Sequence, residues 1–413
     1  MTKSFFHPIS KCRLCRSAEL TEIIDIGEQA LSGCFPAANE PDPPSAPLVL
    51  VMCEGCGLVQ LRDTVVASEM FTYDYGYRSG TNATMRRHLA GIVEWMGQRC
   101  ELKSGDLVVD IGCNDGTLLK AHRTPGLERV GVDAILGKFR SDYPADIRTI
   151  EGFFTAKLVA EQFSGRRAKT ISSIAMFYDL EEPHDFVKAI AALLADDGIW
   201  VMEQSYLGTM LETNAFDTIC HEHLEYYALE QIQFLIESHG LRVFDVEKNA
   251  INGGSFRIAI CRANSRIAEL ETVKAFKTAE KKLNLRMRQP FEAFAARVAD
   301  IREKLKTFVK RESAAGKKIY IYGASTKGNT LLQYCGLDHG SIVAAADRNP
   351  EKWGHQTPLT RIPIVSEDAA RKDKPDYFLV LPWHFRDEFL AREQAFHDNG
   401  GRFIFPMPQF EIV

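Results

Sequence analysis

Two short cysteine pairs constrain this chain more than any other feature. Cys12 and Cys15 form one Cys-x-x-Cys turn, and Cys53 and Cys56 form another. Such a turn presents two thiolates on one side of a metal ion, and two turns complete a tetrahedral shell. The chain between them, residues 16 to 52, must leave and return to the same point. Four thiolates leave no open coordination position, so the spacing predicts a structural zinc site in a small module over residues 1–75. The competing readings are two unrelated pairs or a redox pair; identical spacing favours the metal. Cys34, Cys100, Cys113, Cys220, Cys261 and Cys335 stand alone and read as small core residues.

The other global features narrow the class. At ~100–200 residues per domain, 413 residues suggest two to four domains. The formal net charge of -5 gives no basic excess of the kind that favours nucleic acid. No apolar run approaches the ~18 residues a membrane span needs, and the first residues show no long apolar segment of a secretion signal. A cytoplasmic, reducing setting is expected, which again favours metal ligands over disulfides.

Residues 76–262 alternate β-branched runs with helical patterns, as an α/β sheet does. Residues 263–413 open with a strongly helical stretch and return to strand–helix alternation, with strands expected at 319–322, 342–346, 377–381 and 403–405. Within the middle part, Leu107-Val-Val-Asp-Ile-Gly-Cys-Asn-Asp-Gly116 reads as an apolar strand ending in a glycine-bearing turn, with a helix from Thr117. A dinucleotide site would want Gly-x-Gly-x-x-Gly. The pattern Asp110-x-Gly112-x-x-x-Gly116 instead resembles the first motif of class I methyltransferases, which bind S-adenosylmethionine. Asn114 and Asp115 belong to that turn. Asp133 ends the next strand about twenty residues on, placed to accept both ribose hydroxyls. Phe153 stands where a third-strand loop meets the adenine, either stacking there or in the core. Phe177 follows a further strand and is grouped with the cofactor residues.

The segment Asp217-Thr-Ile-Cys-His-Glu-His-Leu-Glu-Tyr-Tyr227 is the densest cluster of reactive groups. His-x-His without further ligands is poor evidence for a metal, and a core histidine with an exposed neighbour is the bland alternative. The functional reading is a general base whose tautomer is fixed by a carboxylate or backbone oxygen. A weakly acidic C–H acceptor needs such a base more than an amine does, so the cluster favours methylation at carbon.

Together these segments resemble the nucleotide-sugar C-methyltransferases. The likeness extends over nearly the whole chain, through the cysteine knuckles, Tyr73-Asp-Tyr-Gly-Tyr-Arg-Ser79, the glycine turn, the histidine cluster, Tyr322-Gly-Ala-Ser-Thr-Lys-Gly-Asn329 and Leu381-Pro-Trp-His384. It implies a zinc module, a class I methyltransferase core and a C-terminal Rossmann-like domain. It also implies a nucleotide-diphosphate 4-keto-6-deoxy sugar as substrate, methylated at C3 through an enolate. Position by position, His223 matches the family's base, and Glu222 and His221 its neighbours. A tyrosine of Tyr75-Gly-Tyr77 matches an active-site tyrosine; Tyr77 is preferred for catalysis, with Tyr75 beside the donor. Cys220 departs from the family's common tyrosine, and the family often has a histidine near Asp179 that this chain lacks. Both departures bear on which sugar, and which carbon, is methylated. The other acceptor readings are an amine or hydroxyl of a small molecule, or C5 of a keto sugar.

In the C-terminal part, Tyr320 to Gly328 reads as strand, glycine-rich turn and helix, able to place amides at a phosphate with Lys327 as counter-charge. The alternative is a Rossmann-like scaffold without a ligand. Asn252, Trp383 and His384 are further candidates for the sugar-nucleotide pocket, or turn and core residues.

Overall fold

The computed structural model describes residues 5–70 and 77–413. Tyr73 and Tyr75 therefore lie outside the described residues.

The middle of the chain builds a seven-stranded sheet from β1 (Leu107–Ile111), β2 (Glu128–Asp133), β3 (Ile147–Glu151), β4 (Ala168–Ile174), β5 (Leu194–Ser205), β6 (Leu241–Asn249) and β7 (Ser255–Arg262). Their order across the sheet is β3-β2-β1-β4-β5-β7-β6. The first five run parallel, and β7 is antiparallel to both its neighbours. β1 is buried at every position, which is why it is apolar except at Asp110 near its C-terminal end. β5 shows the two covered faces directly. Ile199 and Val201 pack with Leu89, Ile92 and Met96 of the helix Ala83–Gly97. Trp200 and Met202 face the opposite side, with Phe186 and Ile190 of the helix Pro183–Leu193. Strand order reverses beside β1, so the mouth between β1 and β4 is the expected place for a ligand.

The N-terminal sheet has strands Leu20–Ala30, Ser45–Cys53 and Val59–Leu61, all antiparallel. Its fourth strand, Glu225–Tyr226, comes from just after the histidine cluster and pairs with Val59 and Gln60. His221 adds a bond from its Nε2 to the Ala46 carbonyl, at 3.0 Å. The cysteine module is therefore not closed within its own residues; the segment that carries His223 is stitched into it.

The helix Gln289–Ala314 buries Phe291, Phe294, Val298, Ile301, Leu305 and Phe308, a stripe at three- and four-residue steps along one face. It leads into a six-stranded sheet ordered 364–366, 344–347, 319–322, 377–380, 402–405, 411–412. The first five strands are parallel and the last is antiparallel. Three-residue Ile364–Ser366 and two-residue Glu411–Ile412 are too short for a periodic signal. Among the described residues no helix is long and apolar enough to cross a membrane.

Candidate active site

A cavity of about 270 Å³ opens at the C-terminal ends of β1 to β5. Small-molecule pockets start near 300 Å³. Gly112 lines its floor with φ +70, and a Cβ there would stand 2.9 Å from Met176, so only glycine fits this turn. Beneath it the Asp110 carboxylate accepts a bond from the Ser172 hydroxyl at 2.6 Å. Burial pushes Asp110 up to about 7, with the Ser172 bond opposing. Asp133 accepts from the amides of Asn114 and Ile135, each at 2.9 Å. Those bonds fix the carboxylate at the cavity wall and leave lone pairs on both oxygens for a diol. Phe153, 52% exposed, stands at the rim, and Tyr77 and Asn114 line the wall. A glycine floor, a fixed carboxylate and an aromatic rim fit the methionine, ribose and adenine parts of S-adenosylmethionine.

Three expected cofactor contacts fall elsewhere. Asp115 accepts from the Gly80 amide at 2.8 Å and the Thr117 hydroxyl at 2.6 Å. Gly116, at φ +73, lies against the Tyr143 ring, 2.6 Å from where a Cβ would be. Asp115 thus holds the segment after Tyr77 in place, and Gly116 makes room for Tyr143. Phe177 is 1% exposed and packs on Phe186, Trp200 and Tyr227; it is a core residue. Asn114 does both tasks: besides lining the cavity, its side chain accepts from the Ser79 amide at 3.0 Å and donates to the Tyr77 carbonyl at 3.3 Å.

The histidine cluster divides. His223 donates Nδ1–H to the Thr218 carbonyl at 2.8 Å and lies tilted at 55° to the Tyr178 ring, with 4.2 Å between centroids. It lines a small void of about 10 Å³ together with Tyr178 and Ser205. The sequence neighbours of those two, Asp179 and Gln204, line the main cavity. Burial, and then the Lys327 ammonium, hold the His223 ring down to about 3. His221 is 1% exposed and spends its Nε2 on Ala46, so it docks the cysteine module. Glu222 faces Ser32, at 3.4 Å from its hydroxyl, and does not orient His223; burial raises its carboxyl. Burial also pushes the Cys220 thiol well above its ordinary value.

The second domain closes on this cluster. Lys327 donates to the Asn252 carbonyl at 3.2 Å. Trp383 donates its indole N–H to Asp217 at 3.0 Å and lies 3.1 Å from where a Gly253 Cβ would be. His384 sits beside Trp383, and burial with Lys327 holds it down to about 3. Of these residues, Asn252 also lines the main cavity.

The four cysteines converge, with all four sulfurs within 4.8 Å of one another. Cys12 and Cys56 are 3.6 Å apart, and Cys15 and Cys53 are 3.4 Å apart. A tetrahedron with ~2.3 Å metal–sulfur bonds has edges of about 3.8 Å, so the set fits zinc.

Sequence reasoning passed over His88, Glu203 and Gln204, all on the cavity wall. Glu203 pairs with His88 and accepts from Asn249 at 2.9 Å and Arg257 at 2.8 Å. The signal was present: a strand that turns from Ile-Trp-Val-Met to Glu-Gln-Ser at its C-terminal end marks a ligand site in an open α/β sheet.

A C-methyltransferase of Streptomyces niveus, NovU, is 33% identical to this chain over 98% of its length and 97% of the relative's. The chain belongs to the C-methyltransferase family. Family models agree by segment: a zinc binding domain over residues 12–71, a methyltransferase domain over 82–246 and a C-methyltransferase C-terminal domain over 250–408. Among solved structures, the magnesium protoporphyrin IX methyltransferase ChlM of Synechocystis PCC 6803 with bound SAH is 16% identical. That match covers 45% of this chain and 90% of the other, with a TM-score of 0.35. This C-methyltransferase is S-adenosylmethionine-dependent, with a class I core, and its four-cysteine cluster is the zinc site.

Proposed function

We propose that this C-methyltransferase acts at C3 of a nucleotide-diphosphate-linked 4-keto-6-deoxy sugar in deoxysugar biosynthesis, with His223 as the base. The observation that carries the reading is the bond from His223 Nδ1 to the Thr218 carbonyl. It fixes the neutral tautomer whose Nε2 lone pair is free to take a proton. An acceptor attacked at nitrogen or oxygen needs a preset carbon base far less.

S-adenosylmethionine supplies an electrophilic methyl group. Asp133 holds its ribose, the Gly112 turn with Asn114 its amino-acid half, and Phe153 its adenine, with Tyr77 beside them. His223 removes the proton from the carbon next to the ketone, and the electron pair moves toward the carbonyl oxygen. A positioned base contributes about 10²–10⁴. Lys327, Asn252, Trp383 and His384 bind the nucleotide-sugar where the C-terminal domain meets the core. The working division is 1–75 for the zinc module, 76–262 for the core and 263–413 for the C-terminal part, in a cytoplasmic protein with no disulfide among the described residues.

The test is incubation with S-adenosylmethionine and a panel of nucleoside-diphosphate 4-keto-6-deoxy sugars in deuterated water, read by mass and NMR. A new methyl on carbon 3 is expected. Methylation of a nitrogen or oxygen acceptor with no activity on the panel would replace the reading.

A further inference from the structure

Gln204 is 1% exposed, yet neither its amide nitrogen nor its amide oxygen has a hydrogen-bond partner among the described residues. Leaving a buried donor or acceptor unsatisfied costs about 1–3 kcal/mol each. Gln204 lines the main cavity, so a ligand that shifts this wall as it binds can satisfy both atoms. The same wall holds a further orphan, Asp179 Oδ1.

The position of Gln204 says which ligand. Donor ribose belongs at Asp133, on β2, and β5 is three strands away across β4 and β1. Strands lie about 4.8 Å apart, so that offset is about 14 Å. The Gly112 turn on β1 is two strands away. Gln204 thus stands on the acceptor side of the cavity.

We infer that Gln204 binds the acceptor directly, its amide N–H on the ketone oxygen and its amide oxygen on an adjacent hydroxyl. The ligand class is an α-hydroxy ketone, a group that offers one acceptor and one donor side by side. The inference rests on the ketone acceptor of the proposed function. When the C–H bond breaks, the proton goes to His223 and the electron pair to the ketone oxygen. The Gln204 N–H bond strengthens as that charge develops, which is the condition for lowering the barrier. An amide has no titration in the working range, so it donates at every pH. Cys220, where the family commonly has a phenol, offers only a weak thiol donor. Asp179 adds a second donor if neutral, and burial with the nearby Glu222 charge pushes its carboxyl well above the usual range.

The test uses the full-length zinc-loaded protein with Gln204→Met, which keeps the shape and removes both polar atoms, and Gln204→Glu, which keeps an acceptor and removes the donor once its carboxyl is ionised. Three quantities are read: melting temperature without ligands, S-adenosylmethionine affinity by calorimetry, and deuterium exchange and methyl transfer with the keto-sugar panel. For Gln204→Met we expect an unchanged or raised melting temperature, donor affinity within twofold, and kcat reduced about 10²–10³-fold. Gln204→Glu should lose a similar factor. A lowered melting temperature for Gln204→Met would make the amide structural, and weakened donor binding would assign it to S-adenosylmethionine; either overturns the inference. So would turnover within threefold of wild type. Failure of the wild-type protein on every sugar would remove the sugar reading and the ketone contact with it. The stability and donor measurements would then still decide separately whether Gln204 is reserved for an acceptor.

Discussion

His223 and Thr218 are joined by a 2.8 Å bond from the ring Nδ1 to a backbone carbonyl five residues upstream, so the ring proposed as the base is oriented by main chain and not by the carboxylate beside it. Replacing His223 with Asn should abolish deuterium exchange and methyl transfer, a loss of about 10²–10⁴-fold, while donor affinity stays within twofold. Because the folded ring titrates at about 3, the exchange rate should show no histidine step between pH 5 and 8. A step near pH 6.5 would mean an ordinary, solvated ring. Glu222→Gln, whose carboxylate faces Ser32, should cost far less than His223→Asn.

Zinc removal should reach the active site. The strand Glu225–Tyr226 pairs with Val59 and Gln60 of the cysteine module, and His221 bonds Ala46. Small zinc modules take much of their folding free energy from the metal. Stripping zinc with a chelator, verified by metal analysis, should therefore lower the melting temperature and the methyl-transfer rate together. An unchanged melting transition in the zinc-free protein would refute the structural role.

What could be read from the sequence follows from how local each signal is. The cysteine shell, the strand 107–111 with its turn, and the strands of the C-terminal part carry their information within a few residues. One wall of the cavity was legible for that reason: Gly112, Asp133 and Phe153 all line it. The orientation of side chains around the histidine cluster was not. Whether Glu222 or Thr218 meets His223, and whether His221 points inward or at Ala46, depends on a strand pairing between residues more than 160 positions apart. Gln204 escaped notice because an amide in a strand looks like any other polar residue until its lack of partners is seen.

Cys220 invites a direct comparison of chemistry with packing. The thiol is 2% exposed and stays protonated, since burial pushes it well above its ordinary value. Cys220→Ala should keep turnover within a few-fold. Cys220→Tyr, which restores the family's common residue, should instead destabilise the fold by about 1–3 kcal/mol through overpacking. Retained stability with faster turnover in the tyrosine variant would show that the space had been kept for a phenol.

Phe153 and Phe177 should respond oppositely to the same substitution. Phe177 is 1% exposed and packs on the three aromatic side chains Phe186, Trp200 and Tyr227, whereas Phe153 is 52% exposed at the cavity rim. Phe177→Ala should cost about 3–5 kcal/mol in denaturant unfolding. Phe153→Ala should leave stability within about 0.5 kcal/mol and weaken donor binding several-fold by calorimetry. Equal donor affinity in Phe153→Ala would remove the ring from the adenine site.

His122 gives a pH prediction whose sign is unambiguous. It is 7% exposed, its Nε2 has no partner among the described residues, and burial with the Arg129 charge holds it down to about 4. The unfolded ring titrates near 6.5. Between those values the unfolded chain binds a proton that the folded chain does not, so stability falls as pH drops from about 6.5 to 4. A shift of that size corresponds to at most roughly 3 kcal/mol. His122→Gln removes this one contribution and leaves the raised carboxyls, such as Asp110, to act as before. The difference in unfolding free energy between variant and wild type should therefore move in the variant's favour by up to that amount on going from pH 7 to pH 4. Parallel pH profiles for the two proteins would show that the His122 ring is already protonated in the fold.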